Sequence, residues 1–154
     1  MTLEKGDKDG NQDVCVIYSF KSRWLDDIRS GRIGVFFRKR GPSRKPARVF
    51  IYAGAPISSI VAVADVDRME DVDLVRSLEL ANLGRITDEE LRAYIGPNGH
   101  AKAIFLKNHR NLHQAVGIKE LRNIFNFHPP QNFMQVSSEL ADKILEAASE
   151  KKAH

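Results

Sequence analysis

The chain contains short apolar runs, rich in β-branched and aromatic residues, that are separated by glycine, proline and polar turn residues. Runs of this kind predict β-strands, here at residues 14–20, 33–37, 48–53, 57–66 and 101–107. Short strands leave unpaired backbone groups along the sheet edges, and a stable protein must cover or pair those groups. This requirement limits the folds that the chain can adopt.

A helix is predicted directly after the first strand, with Ser22 as its N-cap and Gly31 at its end. Further helical patterns are inserted later in the chain and do not alternate regularly with the strands. They fall at residues 74–83, 118–125 and 138–149, where Ser138 is the predicted N-cap, and Thr87 with Glu90 forms a capping box for a further helix. Acidic residues 65–73 are expected to turn the chain toward the first of these helices. This irregular order indicates an α+β fold. We expect a small β-barrel of about five to six strands with surrounding helices, since closure removes the sheet edges.

The length and composition are those of a single globular unit. The chain has 154 residues, of which 42% are hydrophobic and 29% are charged. We expect a disordered lead-in at residues 1–13, one domain at 14–136, and a C-terminal helix and tail at 137–154. No apolar stretch is long enough to cross a bilayer, so a cytoplasmic location without a membrane partner is expected, with a monomer favoured.

Positive charge is concentrated in one segment. Residues 21–48 hold ten basic residues against two acidic ones, whereas the whole chain has a net charge of only +4. A local positive field of this kind attracts a polyanion, and phosphate contacts supply most of the non-specific affinity for nucleic acid. Aromatic residues such as Trp24 and Tyr52 lie among the cations, as stacking on single-stranded bases requires.

Five segments of the chain have the order and spacing of a known family. They are YSFK at 18–21, SGR at 30–32, VFFRKR at 35–40, VFIYA at 49–53 and PPQNF at 129–133. On these segments the chain resembles the ASCH family of the PUA-like superfamily over about residues 14–133. The resemblance implies a β-barrel, a cleft between the barrel and its helices, and a role in RNA binding, RNA processing or transcription-linked regulation.

The resemblance also suggests which side chains face that cleft. Lys21 matches the cation at the end of the first motif, Arg38 and Arg40 match the cations after the second strand, and Tyr52 matches the aromatic residue of the third. Together with the charge pattern, it predicts a nucleic-acid-binding set of Lys21, Trp24, Arg38, Lys39, Arg40, Arg44, Lys45 and Tyr52. RNA is the expected partner, and DNA stays open because phosphate contacts do not distinguish the two.

Some family members hydrolyse modified cytidines with a lysine and a threonine, and the corresponding positions here hold Ile33 and Phe36. Neither side chain can act as a nucleophile or carry a proton, so we favour a binding module over an enzyme. A hydrolase acting on RNA or a modified nucleoside is one alternative, using Lys21 with an acid such as Asp65 or Glu70. A protein-interaction adaptor with an acidic partner is the other.

No cofactor or metal is expected. His109 and His113 are four residues apart, but no third ligand lies near them in the sequence. They are interpreted as surface histidines that extend the basic rim.

Overall fold

The computed structural model describes residues 14–150. The predicted lead-in at 1–13 and the last residues of the predicted tail lie outside the described residues. The strands are β1 (Cys15–Phe20), β2 (Val35–Arg38), β3 (Arg48–Ala53), β4 (Ser59–Asp73), β5 (His100–Gly117) and β6 (Phe133–Val136). The helices are α1 (Leu25–Arg29), α2 (Leu74–Glu79), α3 (Ala81–Gly84), α4 (Asp88–Ile95), α5 (Ile118–Ile124) and α6 (Ser138–Glu150), and a 3-10 turn, Ser22–Trp24, precedes α1.

The six strands form one mixed sheet in the order β2-β5-β4-β3-β1-β6. Strands β1 and β3 run parallel, and the other neighbours are antiparallel. The predicted α+β class is confirmed, but the sheet of the described residues is not closed into a barrel, and β2 and β6 are its two ends. Both end strands have only four residues, and Leu83 covers the start of β2 by accepting a hydrogen bond from the Gly34 N–H. Short, covered edges remove the need for closure.

Both faces of the parallel pair are buried. In β1, Cys15 and Ile17 pack into one core cluster, whereas Val16 and Tyr18 pack into a second cluster on the opposite face. The alternation follows from the two-residue period of a strand. It explains why β1 and β3 are nearly continuous apolar runs in the sequence.

The predicted turn at residues 65–73 is wrong, because β4 continues through this segment for 15 residues and pairs with the 18 residues of β5. The acidic side chains alternate with the buried residues Val66 and Val72. This two-residue period is typical of a half-buried strand. The helix predicted at 74–83 is divided into α2 and α3.

Two helix starts are set by side-chain caps. The predicted capping box of α4 is present, with Thr87 and Glu90 bonded reciprocally. The cap of α6 is one residue earlier than predicted, because the hydroxyl of Ser137, and not that of Ser138, accepts from the Leu140 N–H. Within residues 14–150, every helix falls short of the length and apolar content needed to cross a membrane.

Candidate nucleic-acid interface

A cleft of about 950 Å³ opens where the parallel strands β1 and β3 end. The register pairs Phe20 with Ala53, so both strands deliver their last residues to the same edge of the sheet. The walls come from the turn Ser22–Trp24, from α4 and from residues 129–132. The cleft therefore brings together parts of the chain that lie more than a hundred residues apart.

Apolar side chains form much of the cleft lining, including Phe20, Ile33 and Phe36. Ile33 and Phe36, the residues at the positions of the lysine and threonine of hydrolysing family members, are only 7% and 5% exposed. They offer van der Waals contact to a planar ligand. They offer no group that could transfer a proton.

Arg38 is the cation that the fold holds most firmly in this cleft. Its guanidinium carbon lies 5.6 Å, 4.7 Å and 5.0 Å from the ring centres of Tyr18, Phe20 and Phe36. Its nitrogens donate to the backbone oxygens of Phe37 (2.9 Å) and Ser19 (3.0 Å).

Burial lowers the pKa of Arg38, against smaller opposing effects of the Tyr94 and Tyr18 hydroxyls. An arginine keeps its charge even so. Arg38 forms no ion pair with a carboxylate of residues 14–150. A positioned cation without a carboxylate partner is suited to an anion supplied by a ligand.

Three more predicted residues line the cleft, in different ways. Lys21 is exposed just beyond the end of β1, and Trp24 is partly exposed in the following turn. Tyr52 is only 2% exposed, and its ring packs against Phe127 with 5.3 Å between centroids. Tyr52 therefore has little free ring surface for stacking, whereas Trp24 has more.

The other four predicted cations belong to the loop at residues 39–47 and do not line the cleft. Lys39 reaches its rim, since its backbone N–H donates to the Tyr94 hydroxyl (2.9 Å) and its Nζ lies 5.3 Å from that ring centre. Lys45 donates from Nζ to the Val66 carbonyl oxygen (3.2 Å). Arg40 and Arg44 are exposed. The predicted set is thus divided between the cleft and the adjoining loop.

Several cleft residues are not among those predicted from the sequence. On α4, Glu90, Ala93 and Tyr94 line the cleft while Leu91 and Ile95 are buried, a helical spacing that could have identified them. The remaining missed polar side chains are Ser19, Arg23, Ser58, Gln131 and Asn132. Gln131 and Asn132 lie in the PPQNF segment, which carries the family resemblance but contributes no residue to the predicted set.

The acids considered for catalysis lie outside the cleft lining. Asp65 accepts hydrogen bonds from Asn108 and Arg110. Burial alone would raise the pKa of Asp65, but these two hydrogen bonds and the charge of Arg110 outweigh burial, so the pKa is lowered. Glu70 accepts from Arg76, and this hydrogen bond lowers the pKa of Glu70. Both carboxylates belong to surface ion pairs, so the predicted pairing of Lys21 with either of them in the cleft is wrong.

The two histidines lie on β5, not on a helix. The Nε2 atom of His109 is 3.0 Å from the Asn111 side-chain oxygen. Residues 14–150 contain no cluster of three or more His, Cys, Asp or Glu side chains arranged to hold a metal ion.

Comparison with known proteins identifies a curated relative. No family model matches the chain. An ASCH domain-containing ribonuclease from Zymomonas mobilis is 29% identical over 128 residues, which cover 80% of this chain and 84% of the relative.

Solved structures share the fold. The crystal structure of ASCH from Zymomonas mobilis superposes with a TM-score of 0.79 at 24% identity, covering 86% of this chain and 94% of that one. Human THYN1, solved in complex with 5-methylcytosine-containing DNA, superposes with a TM-score of 0.53 at 10% identity, covering 88% of this chain and 98% of that one. The N-terminal domain of Staphylothermus marinus McrB superposes with a TM-score of 0.55 at 12% identity, covering 88% of this chain and 94% of that one.

The open mixed sheet, with a cleft at the end of its parallel pair, defines the class as an ASCH-like α+β fold. The ordered motifs of the sequence and the curated relative agree with this class. The predicted resemblance to the ASCH family is thus confirmed in sequence and in fold.

Proposed function

We propose that the protein binds RNA as a single strand, with a nucleotide seated in the cleft. The observation that carries the proposal is Arg38, a partly buried guanidinium that is fixed among three aromatic rings and has no carboxylate partner within residues 14–150. Such a group binds a phosphate at little ordering cost, because its orientation is already set.

The other cleft residues divide between the two parts of a nucleotide. Lys21 lines the same cleft as Arg38 and supports binding of the strand backbone. Trp24 and the apolar residues suit a base plane, and the amides of Gln131 and Asn132 can both donate to and accept from a base edge. This combination favours an unpaired nucleotide, since a base inside a duplex exposes neither its faces nor its pairing edge.

The basic loop extends this proposed interface beyond the cleft. Lys39 joins the loop to the cleft rim through Tyr94, and Arg40 and Arg44 follow it along the chain. These exposed cations suit the phosphates of flanking nucleotides. We therefore place the strand across the cleft and onto residues 39–47.

The relatives support nucleic acid as the partner class. The Zymomonas mobilis relative is described as a ribonuclease, and the human structure contains DNA. RNA ranks first because the ribonuclease is much more similar in sequence than the DNA-bound protein. A cytoplasmic location, where RNA is abundant, is part of the same proposal.

RNA cleavage is the second candidate function, and the described activity of the curated relative favours it. The cleft holds the hydroxyls of Tyr52 and Ser58 beside its cations. End-labelled RNA incubated with the protein and run on a denaturing gel tests this candidate, with a matched DNA strand as control. If the RNA stays intact while binding is saturated, the protein is a binding module and not a nuclease.

Fluorescence anisotropy tests the main proposal. Labelled single- and double-stranded RNA and DNA of one sequence are titrated at two salt concentrations with the wild type, Lys21→Gln and Lys143→Gln. Both variants remove one exposed lysine charge, but Lys143 lies on α6, outside the cleft lining. We expect Lys21→Gln to weaken single-strand binding several-fold and to lower the logarithmic salt slope by about 0.7. Lys143→Gln should change neither, and equal losses in the two variants would contradict a specific cleft.

A further inference from the structure

An ion pair spans the cleft from one wall to the other. Arg23, in the turn Ser22–Trp24, donates from Nη2 to the Oε2 atom of Glu90, near the start of α4. Both side chains line the cleft and both are partly exposed, at 54% for Arg23 and 37% for Glu90. The pair therefore lies where an entering strand would meet it.

The same arginine covers the ring of Trp24, which is partly exposed in the cleft wall. The guanidinium carbon of Arg23 lies 4.2 Å from the centre of the Trp24 ring. A guanidinium at this distance occupies one face of the indole. A base cannot stack on that face while Arg23 stays there.

Glu90 also changes the charge of the cleft. The other charged side chains in the described lining are the cations Lys21, Arg23 and Arg38. Because its carboxylate is bonded to Arg23, Glu90 neutralises one of these three and leaves two for a phosphate.

Only one partner of this pair is free to move. The Oε1 atom of Glu90 accepts from the Thr87 backbone N–H and from the Thr87 hydroxyl, each at 3.1 Å, which completes the capping box of α4. The carboxylate is thus fixed by the helix start. Among residues 14–150, only Glu90 and the Trp24 ring hold the Arg23 guanidinium in place. An exposed ion pair of this type is weak.

We propose that Glu90 acts as an electrostatic gate, which holds Arg23 on Trp24 until a phosphate group replaces the carboxylate as the partner of Arg23. The inference rests on the proposed function. It specifies the ligand further: a strand carrying a phosphate near the cleft mouth opens the gate and exposes the Trp24 face, whereas a free base or nucleoside does not.

The sharpest variant is Glu90→Gln, because glutamine can keep the capping box while losing the charge that holds Arg23. Glu89→Gln is the matched control, since Glu89 is the adjacent exposed acid and lies outside the cleft lining. Arg23→Gln and the double variant Arg23→Gln/Glu90→Gln complete a cycle that isolates the coupling between the two residues. Thermal unfolding of each variant establishes that α4 is intact.

Binding of a short single-stranded RNA is measured by anisotropy over a salt series. We expect Glu90→Gln to bind several-fold tighter than the wild type, because the phosphate no longer has to displace a carboxylate from Arg23. The salt slope should be steeper by about 0.7, since no freed carboxylate takes up a salt cation on binding. Glu89→Gln should gain much less, and the double variant should bind like Arg23→Gln. Free nucleoside, titrated as a competitor, should compete poorly with the wild type and Glu89→Gln, and better with the variants in which Arg23 is released or removed from the Trp24 face.

The possible failures are distinguishable. Wild-type binding with an unchanged or weakened Glu90→Gln would overturn the gate and leave the proposed function standing. An equal gain in Glu89→Gln would also overturn it, because net charge alone would then account for the effect. No binding by either the wild type or Glu90→Gln would overturn the proposed function and the gate together.

Discussion

The position of Arg38 on the four-residue strand β2 places its guanidinium among three aromatic rings. Arg38 follows Phe36 by two positions on β2, so both side chains lie on the same face, where Tyr18 and Phe20 of β1 complete the aromatic surroundings. The motif at 35–40 predicted a cation here. The ion pair of Arg23 with Glu90 could not be predicted in the same way, because 67 residues separate the two partners.

Tyr18, the aromatic neighbour of Arg38, gives a prediction about alkaline stability. The side chain is fully buried, and its hydroxyl donates to the Arg40 carbonyl oxygen at 3.2 Å. Burial raises the pKa of Tyr18 from 10.0 to about 12, against the weaker effect of Arg38. A group with a raised folded-state pKa contributes stability that is complete below its unfolded pKa and is lost as the pH rises through the folded value.

We therefore expect Tyr18→Phe to be less stable than the wild type by about 1 kcal/mol at neutral pH, through loss of the hydrogen bond. Between pH 10 and pH 12 the wild type should lose up to about 3 kcal/mol relative to the variant. Urea unfolding of both proteins at a series of alkaline pH values measures this difference. A difference that stays constant across the series would show that the hydroxyl titrates normally in the folded protein.

At the scale of helices and strands, the sequence predicted the elements better than their ends. The runs at 14–20, 33–37 and 48–53 lie close to β1, β2 and β3, because apolar composition marks strands that are buried on both faces. Strands β4 and β5 extend far beyond their predicted ends, since their outer parts carry charge on the exposed face. Bulges at several points in their pairing further obscure the two-residue period.

The start of α6 gives a prediction at this scale. The Ser137 hydroxyl accepts from the Leu140 N–H at 3.1 Å, and the Ser137 carbonyl oxygen accepts from Ala141, so Ser137 is the N-cap. The helix buries Ala141, Ile144 and Ala148 in a core cluster shared with β1 and β3. Ser137→Ala should therefore lower the free energy of unfolding by about 1 kcal/mol. Ser138→Ala, at the residue predicted from the sequence, should change it by less than about 0.5 kcal/mol. Urea unfolding of both variants measures the two changes, and a larger loss of stability in Ser138→Ala would place the cap at Ser138.

At the scale of the whole molecule, the cations fall into two groups that composition alone does not separate. Many arginines and lysines outside the proposed interface pair with carboxylates, as Arg76 does with Glu70 and Lys102 does with Asp71. Arg38, Arg40 and Arg44 form no such pair with residues 14–150. The charge excess at 21–48 predicts an interface in this region, and the fold adds which of these cations already have a counter-charge within residues 14–150.

We therefore predict that the contribution of each cation to nucleic-acid binding depends on whether it already pairs with a carboxylate, and not on the net charge of the protein. Arg40→Gln/Arg44→Gln removes two cations of the basic loop. Arg32→Gln/Arg85→Gln removes the same charge from two arginines that both pair with Asp27, at 3.6 Å and 3.5 Å. A cation that already faces a carboxylate releases little bound salt when a phosphate approaches, so the two double variants should differ.

We expect the loop variant to lower the salt slope for single-stranded RNA by up to about 1.4, and the Asp27-facing variant to leave it almost unchanged. Equal reductions in the two salt series would mean that the strand responds to the overall field of the protein and not to a defined path across residues 39–47.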